Sequence, residues 1–174
     1  MGYSCEVRKV AKEFPEVELD EIIVDAAAAL LIRTPDQFDV IVTTNMFGDI
    51  LSDEASELSG SLGLGASINV GDHICVAQAQ HGSAPDIAGK NIANPTSLIL
   101  SAAMLLNWRG CREGNYALTT AAALIEQAVE RVLSNPATRT RDIGGKLDTD
   151  VFSDAVVAAL RLVCDESRGA TQES

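Results

Sequence analysis

The chain has 174 residues, 47% of them hydrophobic and 22% charged, the balance of one globular domain rather than of a disordered segment. Its formal net charge of −12 repels phosphate backbones and anionic lipid, so neither nucleic acid nor a membrane surface is expected as a partner. Aromatic residues make up only 4%, so the core must rest on Ala, Leu, Ile and Val.

The elements alternate along the chain. Cys5 to Phe14 reads as a short polar helix stopped by Pro15, and Glu21 to Val24 as a brief β-branched run. Asp25 to Arg33 is Ala/Leu-rich and predicts a helix ended by Thr34-Pro35. Asp39 to Thr43 (DVIVT) predicts a strand, continuous and β-branched as in a sheet covered on both faces. A helix is expected over Gly48 to Leu58, then a glycine-rich break over Gly60 to Gly65. Ala66 to Val70 and His73 to Ala77 predict short strands, and His81 to Pro95 a long loop rich in Gly, Pro and Asn. Helices follow over Thr96 to Trp108, with Gly110 just beyond, and over Asn115 to Leu133. Asn135 to Gly145 reads as irregular. Thr149 to Val163 predicts a last helix capped by Asp148 or Thr149, and Asp165 to Ser174 a frayed polar tail. Strands alternating with helices place the chain in the α/β class.

Cys5, Cys75, Cys111 and Cys164 form no C-x-x-C pair and suit neither a zinc site nor a disulfide framework, which points to a reducing compartment. The N-terminus carries no apolar signal core and no Arg-rich transit pattern. The longest apolar run, Ser97 to Leu106, is too short and interrupted to span a bilayer. The cytoplasm is the expected location, with the mitochondrial matrix as the alternative.

Two segments carry candidate chemistry. Thr43 to Asp53 (TTNMFGDILSD) begins at the end of the expected strand, where open α/β sheets place ligands. Asp49 and Asp53 are four apart, on one face of a helix and one turn apart. Their mutual repulsion is relieved by a divalent cation, and hard oxygen ligands suit Mg²⁺ or Mn²⁺. The competing reading puts Asp49 in the first turn of a helix starting at Gly48, complementing its dipole, and Asp53 in solvent. Asp25, after EIIV, reads by itself as an N-cap.

The second segment, His81 to Pro95 (HGSAPDIAGKNIANP), is not a G-x-G-x-x-G fingerprint. It combines glycines that admit a ligand to the backbone, a flat His81, one Asp86 and Asn94. A carboxylate can accept both hydroxyls of a ribose and would repel a 2′-phosphate, which favours NAD over NADP. The Asn94 side chain can read an adenine edge by donating and accepting at once. The competing reading is an ordinary structured loop with His81 satisfied internally and Asp86 capping a turn.

Taken together, NMFGDILSD and HGSAPDIAGKNIANP resemble the isocitrate/isopropylmalate dehydrogenase family. VDAAAALLIRTPDQFDVIVTTN, LILSAAMLLNWRG and TRDIGG extend the likeness over residues 5 to 163. The resemblance implies an α/β chain forming the truncated C-terminal half of the family fold. Residues 1–59 would belong to its smaller, dimer-forming domain with the metal helix, and residues 60–174 to its larger domain with the NAD loop. It implies Asp25, Asp49 and Asp53 as metal carboxylates for Mg²⁺ or Mn²⁺, with Asp25 reaching the site of a second copy, hence a homodimer or higher oligomer. It places Asn45 near substrate and nicotinamide, His81 beside adenine, Asp86 on the ribose and Asn94 on the adenine. Gly82, Ser83 and Ala84 would line the cofactor path, and Asn45 and Asp25 would take part in catalysis.

The implied activity is NAD-dependent oxidative decarboxylation of a 2-hydroxy acid. Family members run to about twice this length, and the half that precedes Met1 would carry the substrate-clamping arginines, the proton-donating tyrosine and the lysine that handles the alcohol proton. Lys9 and Lys12 do not match that lysine, Tyr3 lacks the motif of that tyrosine, and Gln78 stands where the family has Glu. The chain is therefore expected to be incomplete alone, with a partner chain supplying the missing half. The alternatives are a non-redox enzyme (decarboxylase, isomerase or cyclase) reusing the same cleft, and a non-catalytic regulatory or interaction subunit.

Overall fold

The computed structural model describes residues 2–172. The chain divides into two compact units, one ending at Leu58 and the other beginning at Ser59.

The first unit holds α1 (Gly2–Ala11), α2 (Val24–Arg33) and α3 (Asn45–Leu58). Its core is small. Ala27 and Leu31 of α2 and Leu51 of α3 are buried. Tyr3 of α1 donates from its hydroxyl to the Thr43 carbonyl at 2.8 Å, and Arg8 pairs with Glu21.

In the second unit the chain enters through a turn at Leu62–Leu64 into β1 (Ala66–Val70) and β2 (Cys75–Ala79), an antiparallel hairpin with Ala66 opposite Ala79 and Val70 opposite Cys75. Three helices follow: α4 (Thr96–Glu113), α5 (Tyr116–Ser134) and α6 (Thr149–Gln172). Helix α4 backs the hairpin through two serines one turn apart. Ser97 Oγ donates to the Gly65 carbonyl and accepts from Gln80 N at 3.0 Å. Ser101 Oγ accepts from Ser67 N at 2.9 Å. Both are fully buried, so the apolar interior closes over satisfied polar groups.

Helices α4 and α5 cross closely at Gly110, where a Cβ would lie 2.7 Å from Thr119 Cγ2. Gly114, at φ 62°, turns the chain between them, and the Asn115 side chain caps α5 by accepting from Ala117 N at 3.1 Å. The main core lies between α5 and α6, built from Ala128, Val129, Val132, Phe152, Val156 and Ala159.

Several expectations are corrected. Residues 39–43 form no strand. Val40 and Val42 stand 78% and 63% exposed, because a strand needs neighbours for its backbone and both its faces, and the described residues provide none. Residues 21–23 are likewise irregular. The hairpin turn, closed by Gly71 N donating to the Ile74 carbonyl at 2.8 Å, starts β2 at Cys75 rather than His73. Gly110 lies inside α4 and is required there by packing, and Gly114 is the terminator. The final helix runs on to Gln172 where a frayed tail was expected, and Glu173 and Ser174 lie outside the described residues. Among the described residues no helix is long and apolar enough to cross a membrane.

Candidate functional site

The candidate residues fall in both units. In the first, α3 begins at Asn45, with Gly48 N donating to the Thr44 carbonyl at 2.8 Å. The expected start at Gly48 is therefore three residues late, and Asp49 sits in the second turn instead of the first. The pull of a helix N-terminus on a carboxylate fades beyond the first turn, so the dipole explanation for Asp49 loses its ground. Asp49 and Asp53 are both exposed on α3, one turn apart, and Asn45 donates weakly from Nδ2 to Asp49 Oδ2 at 3.4 Å. Asp25 is in the first turn of α2 and is not its N-cap, which is Ile23; its Oδ1 accepts from Ala26 N at 2.7 Å. Among the described residues no three His, Cys, Asp or Glu side chains gather into a metal-holding group. Asp49 and Asp53 thus lie as two exposed carboxylates one turn apart on α3, and Asp25 does not join them within one chain.

In the second unit β2 delivers the chain to the loop of residues 81–95. His81 is half-buried, with Nδ1 3.0 Å from the Gly82 carbonyl. Gly82, Ser83, Ala84 and Asp86 are exposed along the first arm. Ala84 has φ +40°, a left-handed conformation that side chains disfavour and that the following Pro85 disfavours further. Such strain persists only where the surroundings fix the chain, and it recurs at ligand-holding loops. A run of turns follows, with Ile87 N donating to the Ala84 carbonyl at 3.1 Å and Lys90 N to the Ile87 carbonyl at 3.1 Å.

The second arm is anchored from the C-terminal segment. The Asn91 carbonyl accepts from Thr149 N at 2.8 Å, and Thr149 Oγ1 donates to the Ala93 carbonyl at 2.6 Å. The Asn91 side chain also holds the Asp150 carboxyl below its ordinary pKa. Asn94 is 7% exposed. Its Oδ1 accepts from Thr96 N at 3.0 Å and its Nδ2 donates to Asp142 Oδ2 at 2.9 Å. Both ends of the amide are engaged within the protein, which leaves its main chain for any ligand.

Asp142 had no role assigned from the sequence, although it stands within TRDIGG. Partial burial of its carboxyl works to raise the pKa, but donation from Ser61, Thr140 and Asn94 outweighs this and holds it below the ordinary value. Ser61 Oγ lies 2.5 Å from Oδ2; the Thr140 hydroxyl acts without a well-aligned bond. The signal that could have found Asp142 is a lone carboxylate inside a Gly-rich turn, facing Ser61 and Asn94 far away in sequence.

The isocitrate/isopropylmalate dehydrogenase family profile matches residues 2–157. The chain belongs to this family. It is 53% identical over 155 residues to an isocitrate/homoisocitrate dehydrogenase of Thermus thermophilus, spanning 89% of the chain and 44% of that protein. It is 52% identical over 160 residues to a 3-isopropylmalate dehydrogenase of Pseudomonas fluorescens, spanning 89% and 42%. Among solved structures, an isocitrate dehydrogenase from Methylococcus capsulatus superposes with a TM-score of 0.80 at 42% identity, covering 88% of this chain and 44% of that one. A β-decarboxylating dehydrogenase from Thermococcus kodakarensis gives 0.73 at 41% identity, covering 89% and 43%. The chain thus spans less than half the length of these isocitrate/isopropylmalate dehydrogenase relatives, and its helix-rich architecture with a small sheet corresponds to part of the family fold. Gln78, where the family pattern has Glu, lies exposed on β2.

Proposed function

We propose that this chain provides the metal- and NAD-binding portion of a dehydrogenase that oxidatively decarboxylates a 2-hydroxy acid, and that it needs a further polypeptide portion to turn over. The observation that carries the reading is the pair Asp49 and Asp53, exposed one turn apart beyond the first turn of α3 and four and eight residues past Asn45, in a chain of this family. The two units, dividing at Leu58/Ser59, would be parts of the family's smaller, dimer-forming domain and of its larger, cofactor-binding domain.

The carboxylates fit part of a coordination shell. Mg²⁺ takes about six oxygen ligands, so Asp49 and Asp53 leave places for water, substrate and Asp25 of a second copy. That shared site makes a homodimer part of the proposal. A cation held by these carboxylates would supply Lewis-acid polarisation of a substrate oxygen. NAD supplies the hydride acceptor. Asn45 orients substrate beside the carboxylates. Asp86 accepts from the ribose hydroxyls and repels a 2′-phosphate, Gly82, Ser83 and Ala84 admit the cofactor to the backbone, and His81 flanks the adenine. Asn94 presents its main-chain N–H and C=O to the adenine edge, since its side chain is taken. In this reading the substrate clamp and the acid/base groups would come from the further polypeptide portion. The bare β-branched segment Val40–Ile41–Val42 supports such an addition, since a strand laid beside it would cover apolar surface that now faces water.

Titration of Mn²⁺, followed by the loss of the free-ion paramagnetic resonance signal, tests the reading. Saturable binding that the Asp49→Asn/Asp53→Asn variant abolishes is the expected result. Equal binding by both proteins would take the metal away from Asp49 and Asp53, and with it the observation that carries the decarboxylation reading.

A further inference from the structure

We propose that Asp142 is the positioning residue of the loop of residues 81–95, fixing through Asn94 the backbone that would meet the adenine. The inference rests on the reading of this loop as a dinucleotide site and extends it to a residue forty-eight positions away in sequence.

Three separated segments converge on one oxygen. Asp142 Oδ2 accepts from Ser61 Oγ at 2.5 Å and from Asn94 Nδ2 at 2.9 Å. Ser61 Oγ in turn accepts from Gly63 N at 3.0 Å, shaping the turn that leads into β1. Gly63 is pressed against the same pair: a Cβ there would lie 2.7 Å from Asn94 Cβ and 3.0 Å from Asp142 Oδ2. Asn94 spends its remaining end on Thr96 N and thereby sets where α4 begins.

The amide of Asn94 is thus held at both ends, and its φ/ψ cannot drift without breaking a bond to a carboxylate. A neutral acceptor would do this less well, because hydrogen bonds to an ionised group are shorter and about twice as strong. Asp142 touches neither metal nor reacting atoms in this scheme. It acts on the ligand only by fixing Asn94.

Hydrogen exchange of the whole chain, without ligand, and calorimetry with ADP-ribose are the tests. ADP-ribose carries the adenine, both riboses and the diphosphate of NAD and no nicotinamide. For Asp142→Ala we expect faster exchange at residues 94–97 and affinity for ADP-ribose lower by about tenfold, the loss typical of a charged hydrogen bond. Exchange in the α5–α6 core around Val129 and Phe152 should stay slow. Asp142→Asn keeps an acceptor for both donors and should restore most of the affinity.

Unchanged exchange at 94–97 would overturn the inference, and so would core amides loosening in step with the loop, which marks general destabilisation. A wild-type chain that binds no ADP-ribose, while Asp142→Ala still loosens 94–97 alone, would support the hold of Asp142 on Asn94 and sink the dinucleotide reading.

Discussion

The Ser101 hydroxyl lies 2.7 Å from the Gln78 carbonyl, so helix α4 reaches the penultimate residue of β2 through a polar side chain. The same oxygen accepts from Ser67 N on β1, and one turn earlier Ser97 serves Gly65 and Gln80 in the same way. The two serines tie the hairpin, and with it the start of the loop at His81, to α4.

Replacing Ser101 by Ala leaves the part-buried Ser67 N–H without this acceptor. The expected cost is about 1–3 kcal/mol, the desolvation penalty of an unsatisfied group. Urea unfolding followed by far-ultraviolet circular dichroism measures it. A cost near zero would mean that water takes over the serine's place.

Gly145 should tolerate no side chain. A Cβ there would lie 1.9 Å from the Arg139 carbonyl oxygen, which accepts from Lys146 N and Leu147 N, each at 3.0 Å. Gly145→Ala has to break this turn and should destabilise by about 3 kcal/mol, the upper end of ordinary overpacking. The shift of the urea midpoint reads it.

The Asp142 carboxyl gives the second unit a specific acid sensitivity. Its folded-state pKa lies below the ordinary value of about 3.9, so it adds stability above that pH. The contribution disappears as the pH falls from the unfolded value through the lower folded one. The difference in melting temperature between wild type and Asp142→Asn should therefore be full at about pH 5 and shrink toward about pH 3. A pH-independent difference would assign the effect to packing.

Three helix ends were legible because each carries its own punctuation. Thr34-Pro35 ends α2, Pro95 precedes α4, and Asn115 caps α5. The strand expected at Asp39 to Thr43 was not realised, because the pattern of a buried strand describes a place in a sheet and the described residues supply it no neighbours. Gly110 misled for the opposite reason: a glycine chosen for its close approach to Thr119 looks in sequence like a helix stop. Of the candidate site, the exposed carboxylates of α3 were readable from their spacing. The roles of Asn91 and Asp142 were not, since both act on partners more than forty residues away in sequence.

Asp86 has the most direct bearing on the cofactor. It stands exposed on the first arm of the loop, beside the strained Ala84-Pro85 step. Calorimetric titration of NAD into the chain with Mn²⁺ present, repeated with Asp86→Lys, tests whether this is the binding portion of a dehydrogenase. Saturable NAD binding by the wild type, lost in the variant, is the predicted result. No heat at millimolar NAD, or equal binding by both proteins, would contradict it.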